Sequence, residues 1–349
     1  MLGHLVRVTA LALLALAGTQ FIAYPAEADT KPQKLTIALG GKGMSFIIQY
    51  VAMGAGFYKQ EGIEPEIVDV SSGTRMAAAV LGGSADMTQL GMPHTLEAVA
   101  RGGDLVAIGS GFDKYPIALV LSNVAIKRLG ITDAMSLDEK IKRLHDVRIG
   151  ITSPGSSTDE FMRTIMQVRG MDTAKDVRLQ PIGIGAPMVA ATQQGTIDGF
   201  AFMSPFTDMA VSQGIGKVIA DPMQDNVPEY KDVPYQVITT SRATLAAKRP
   251  LLLGTERALT KAMKFCHEHP EDTRRIVRTF FENVPEADFN TSFNSYMKGV
   301  PTTPLVTRVQ VENTLRMVNL AEKAPIHPAY EKVVDNSLAQ QAAKEILGE

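Results

Sequence analysis

The chain has 349 residues, with 35 Lys and Arg against 37 Asp and Glu and a formal net charge of −2. That near balance gives no reason to expect a nucleic-acid or membrane-surface partner, and the length allows about two domains with real cores. The single cysteine, Cys266, cannot form an intramolecular disulfide, so no disulfide scaffold is expected.

The first element reads as a targeting segment. Arg7 precedes the apolar run ALALLALAG (10–18), too short for a comfortable membrane span, and AEA (26–28) has the small-x-small form of a signal-peptidase site. Residues 1–28 are therefore expected to be a signal peptide cleaved after Ala28, with an N-terminal anchor as the alternative. No cysteine stands near the site to carry a lipid.

A first α/β unit follows. LTIALG (35–40) is an apolar strand ending in glycine. MSFIIQYVAMGAGFYKQEG (44–62) places Phe46, Tyr50, Met53 and Phe57 at helical spacing and stops at Gly62. EPEIVDV is a second strand, SSG turns into an Ala-rich helix over 74–81, and ADMTQLG begins a third strand. YPIALVL (115–121) then leaves the unit as a β-rich crossing rather than a Gly/Ser tether.

The second unit repeats this path: strand 147–151, helix 158–169, strand 177–182, helix 186–194, strand 197–202. An offset of 112 positions aligns the two without a gap. It matches Gly73, Met76, Ala78, Ala79, Gly83 and Asp86 with Gly185, Met188, Ala190, Ala191, Gly195 and Asp198. VPYQVITTS (233–241) forms a second strand-like crossing. Beyond it the chain reads as helical over about 243–248, 254–267, 270–283, 304–322 and 328–346. Cys266 falls in one of these helices, as a small packed residue.

The expected fold is α/β: two doubly wound lobes, mainly parallel, with a ligand cleft between them and two strand-like hinge crossings. The first lobe takes residues 29–116 and, as a helical C-terminal extension, 240–349; the second takes 117–239. In such sheets ligands lie beyond the carboxyl ends of the strands.

RIGITSPGSSTDEF (148–161) is the loop to judge. A phosphate loop of the Walker type needs Lys and then Ser or Thr after the last glycine, whereas Gly155 is followed by Ser156, Ser157 and Thr158. Neither first strand is followed by G-x-G-x-x-G. What remains is a strand-to-helix loop with free N–H donors, present once in each lobe.

AMGAGFYKQEGIEPEIVDVSSGT with LGGSADMTQLG, and VRIGITSPGSSTDEFMR with GTIDGFAFMSP, resemble periplasmic substrate-binding proteins of the nitrate/sulfonate/taurine type. The resemblance covers roughly residues 35–240 well and the helical tail loosely. It implies a type II periplasmic binding fold and capture of a small solute for an ABC-type permease in the inner membrane. The related thiamine-precursor synthases carry a cysteine-rich motif, which this chain lacks. A periplasmic sensor for a membrane signalling partner is the alternative.

No enzymatic set emerges. His267 and His269 diverge at a helix end, no H-E-x-x-H, C-x-x-C or G-x-S-x-G occurs, and Asp86 and Asp198 read as structural caps. Neither cofactor nor metal is expected, and the protein is expected to act as a monomer. Candidate ligand-binding positions in lobe one are Gly43, Met44, Ser45, Phe46, Ser72, Gly73, Thr74, Met92, Pro93 and His94. Phe112 stands near the hinge. Lobe two offers Ser156, Ser157, Thr158, Gly185, Met203 and Ser204. Met and Phe side chains facing the cleft would favour a small organic anion, a sulfonate or carboxylate, over a bare inorganic ion. Lys42 and Arg75 flank two of the loops and are expected to point to solvent.

Overall fold

The computed structural model describes residues 31–70, 72–320 and 324–349; the signal-peptide segment lies outside them. Among these described residues, ten strands form two five-stranded sheets. β1 (Gln33–Leu39), β2 (Ile63–Asp69), β3 (Met87–Gly91) and β4 (Leu105–Phe112) belong to the first sheet. β5 (Ala118–Ser122), β6 (Val147–Ile151), β7 (Val177–Pro181), β8 (Gly199–Phe202) and β9 (Gly216–Ala220) make the second. β10 (Gln236–Ser241) returns to the first.

The sheet orders are β2-β1-β3-β10-β4 and β7-β6-β8-β5-β9, the same arrangement twice. β1 is parallel to β2 and β3, and β6 to β7 and β8. β10 and β5 are each inserted antiparallel to both neighbours. Only part of each sheet is thus parallel, because a strand arriving from the opposite lobe enters in the reverse direction. The chain changes sheets between Phe112 and Ala118 and between Ala220 and Gln236, so residues 236–239 belong with the first sheet.

Equivalent contacts hold the two units. Asp86 accepts the Thr36 N–H at 3.0 Å and Asp198 accepts the Arg148 N–H at 2.8 Å, positions related by the offset of 112. Gly83 and Gly195 both turn the chain at φ +72°, a conformation that favours glycine. The helix expected over 44–62 is broken: Ile47–Gly54 and Phe57–Gln60 are separated where Gly56 adopts φ +73°. Expected helix 304–322 starts only at Arg308, behind a capping box of Thr307 and Gln310. The 328–346 pattern splits into Tyr330–Val333 and Ser337–Ile346.

The long Arg249–Glu268 helix packs on Ile47–Gly54 and Ser337–Ile346, placing the tail against the first lobe. Cys266 is fully buried there. Glu286–Tyr296, a helix without a strong apolar pattern, reaches the second lobe instead. Ser292 donates to Asp208 at 2.5 Å, and the Tyr296 hydroxyl accepts from Ser204 N–H at 2.9 Å and donates to the Pro116 carbonyl at 3.2 Å.

Aromatic side chains fill the crossings. Tyr115 lies 4.3 Å from Tyr230 and 5.0 Å from Tyr235 between ring centres. In the second crossing the Asp221 carboxylate accepts from Met223 N–H at 3.0 Å. Burial, with Asp208 and Asp225 adding repulsion, pushes its carboxyl up to about 6. The folded chain therefore keeps a proton that an unfolded Asp releases near pH ~4. Stability is fully present below that pH and is lost as pH rises through about 6. Asp221→Asn keeps an acceptor for Met223, and should remove about 1–3 kcal/mol of this fall between pH 4 and 7. Urea unfolding at several pH values checks it; parallel curves for wild type and variant would exclude the effect.

Candidate functional site

The strand ends of the two lobes meet around a small cavity of about 40 Å³. A buried water needs roughly 10–15 Å³ on this measure, so the space holds about three. Ser72 caps the Gly73–Leu81 helix of the first lobe, accepting from Arg75 N–H at 3.4 Å. Ser156 caps the Ser157–Gln167 helix of the second, accepting from Asp159 N–H at 3.4 Å. Both helix starts border the cavity, so their partial positive charges and unused N–H groups point at one space.

Hydroxyls surround these starts. Thr158 Oγ1 accepts from Thr152 N–H at 2.9 Å and lies 2.8 Å from Ser156 Oγ. The Tyr115 hydroxyl donates to the Ser157 carbonyl at 3.4 Å. Burial pushes the Tyr235 phenol up to about 12, against the opposing effect of its hydrogen bond to Ser157. Phe46, Met76, Ile117, Ile184, Phe202 and Met203 supply apolar wall. Among the described residues, none lining the cavity carries a formal charge. Lys42 and Arg75 are exposed.

Seven of the seventeen positions named from the sequence border the cavity: Phe46, Ser72, Gly73, Ser156, Ser157, Thr158 and Met203. Four others stand where the lobes touch. Thr74 Oγ1 donates to the Gly155 carbonyl at 2.8 Å, and Ser45 Oγ lies 3.7 Å from Met203 Sδ. Gly43 abuts Met203. His94 Nε2 lies 3.2 Å from Ser157 Oγ and Nδ1 lies 3.2 Å from Glu160 Oε1. Burial lowers the His94 pKa.

The remaining six are packed away from the cavity. Met44 is core, Met92 sits under Thr314, and Phe112 stacks on Tyr296. Pro93 opens the Met92–Ala100 helix, Gly185 faces Phe206, and Ser204 bonds Thr207. Residues not named from the sequence complete the wall, among them Gly40, Gly91, Thr152, Ile184, Tyr235 and Gln236. The offset of 112 carried a signal for several of them. It pairs Gly40 with Thr152, Phe46 with Thr158, Ser72 with Ile184, and Gly91 with Met203, and all eight line the cavity.

A model of the NMT1-like family matches residues 28–280, and the chain belongs to that family. It is 22% identical over 346 residues to YtlA of Bacillus subtilis (strain 168), covering 95% of this chain and 97% of that one. The nitrate/nitrite binding protein NrtA of Synechocystis is 25% identical over 206 residues, 54% of this chain and 45% of that protein. Among solved structures, a protein of Bordetella bronchiseptica RB50 aligns with a TM-score of 0.79 at 23% identity, covering 89% of this chain and 97% of that one. The two-lobed α/β architecture is the fold of the periplasmic binding proteins, as the resemblance implied.

Proposed function

We propose that this NMT1-like family member is the solute-capturing component of an ABC importer, exported to the periplasm, with Asp29 as its mature N-terminus. It works as a monomer, closing its lobes on a small solute and presenting it to an inner-membrane permease. The observation that carries this reading is the pair of capped helix starts, one per lobe, facing a single uncharged cavity. N–H groups and hydroxyls there can hold an anionic group without a cationic side chain, as helix N-termini do. The apolar wall then takes a short organic body, so a compact carboxylate or sulfonate fits best. The family and the named relatives support binding rather than catalysis. The sensing alternative draws no support from either.

Native mass spectrometry of the gently purified protein should identify the retained solute. With that solute as titrant, Ser157→Ala should weaken binding roughly ten- to hundredfold, the usual consequence of deleting one buried hydrogen bond to a charged group. Thr74→Ala, which removes only a contact between lobes, should weaken it several-fold. Calorimetry showing unchanged affinity in Ser157→Ala would place the ligand elsewhere.

A further inference from the structure

Outside the cavity, the lobes meet again around a larger hollow of about 550 Å³. Among the described residues, His94, Glu97 and Glu160 converge there, each with a ligand atom within 4.8 Å of the others. His94 and Glu97 stand three apart on Met92–Ala100, on one helix face. Glu160 comes from the first turn of Ser157–Gln167 in the opposite lobe.

We propose that His94, Glu97 and Glu160 bind a divalent first-row metal ion, zinc or manganese, which bridges the two lobes and holds the cleft shut. One imidazole and two carboxylates are a donor set suited to such ions, whereas calcium and magnesium take oxygen ligands. Around bonds of about 2.0–2.2 Å, ligand atoms stand roughly 3.3 Å apart. His94 Nδ1 and Glu160 Oε1 are already at 3.2 Å, and a Glu97 oxygen lies within 4.8 Å of both.

The surroundings fit the same assignment. If His94 Nε2–H donates to Ser157 Oγ, at 3.2 Å, the Nδ1 lone pair faces the Glu160 carboxylate. Ser157 then serves as the outer partner that orients a metal-bound imidazole. In that tautomer two acceptors 3.2 Å apart would be drawn together by a cation between them. The hollow leaves room for water molecules to complete the coordination shell. Nearby arginines are engaged at its edge, Arg101 with Glu97 at 3.4 Å and Arg163 with Asp159 at 3.0 Å. Arg101 is exposed in this pair, so solvent and salt screen it and a dication would compete with it for Glu97. No sequence motif announced this group because its ligands come from two lobes. Since the ion would bind only when the lobes meet, it would favour closure, and solute and ion would each tighten the other's binding.

Metal-stripped full-length protein titrated with zinc chloride should take up one equivalent, and its radius of gyration in small-angle scattering should contract without any solute. Glu97→Gln and Glu160→Gln should each weaken zinc binding by roughly tenfold or more, while melting like wild type in EDTA. Zinc bound without contraction would overturn the bridging role. No saturable binding, or one equivalent held equally well by the double variant, would overturn the site.

Discussion

Phe200→Ala should lower the stability of the chain by about 3–5 kcal/mol, the usual range for truncating a buried phenylalanine. Phe200 is completely buried. It lies in β8 between two neighbours, opposite Val120 of β5 on one side and Gly150 of β6 on the other. Gly150 permits this closeness: a Cβ there would stand 3.3 Å from the Phe200 Cβ and 2.8 Å from Ile197 Cδ1. Removing the ring leaves a cavity that the pinned backbone cannot collapse into. Against a typical total of 5–15 kcal/mol, the loss is large and should lower the melting temperature by roughly 10 °C or more. Val124→Ala, at a position 77% exposed, should change stability by less than about 0.5 kcal/mol. A Phe200→Ala protein melting within about 2 °C of wild type would mean that the second lobe repacks freely.

The same strand shows what could be read from the sequence and what could not. Apolar runs located β1, β3 and β6 closely, because strand period and turn chemistry are local properties. The offset of 112 predicted that the units share a path, and the two sheets have equivalent strand orders. The insertion of β5 and β10 into the opposite sheets depends on pairing across distant parts of the chain, which no local pattern encodes. Met44, Met92 and Phe112 show another limit. An apolar side chain near a loop can face core or cleft with the same sequence signal, and these three are buried in packing. Glu286–Tyr296 escaped because its apolar pattern is weak and its anchors, Asp208 and Ser204, lie in the other lobe. The site was half legible for the same reason. Ser72 and Ser156 stand in loops that the sequence places at helix starts, but the contact of His94 with Ser157 exists only once both lobes are placed.

Gly43→Phe should weaken solute binding roughly 10- to 100-fold while leaving the fold almost as stable as wild type. Gly43 has φ −111° and ψ 146°, an extended conformation open to any residue, so backbone strain is not the reason. Space is. A Cβ built at Gly43 would lie 2.5 Å from Met203 Sδ in the opposite lobe and 3.6 Å from the Phe46 ring. A methyl group can be met by a shift of the flexible thioether, so Gly43→Ala should lose only a few-fold in affinity. A benzyl group has no such outlet while the lobes touch, and overpacking of this kind costs about 1–3 kcal/mol. Opening the cleft relieves it, so the penalty falls on the closed form alone. Binding is weakened by the fraction of protein still able to close. Small-angle scattering should show Gly43→Phe remaining extended at solute concentrations that contract wild type, with both proteins melting alike in the absence of solute. Wild-type affinity in Gly43→Phe would mean that the lobes need not meet at Met203 for the solute to be held.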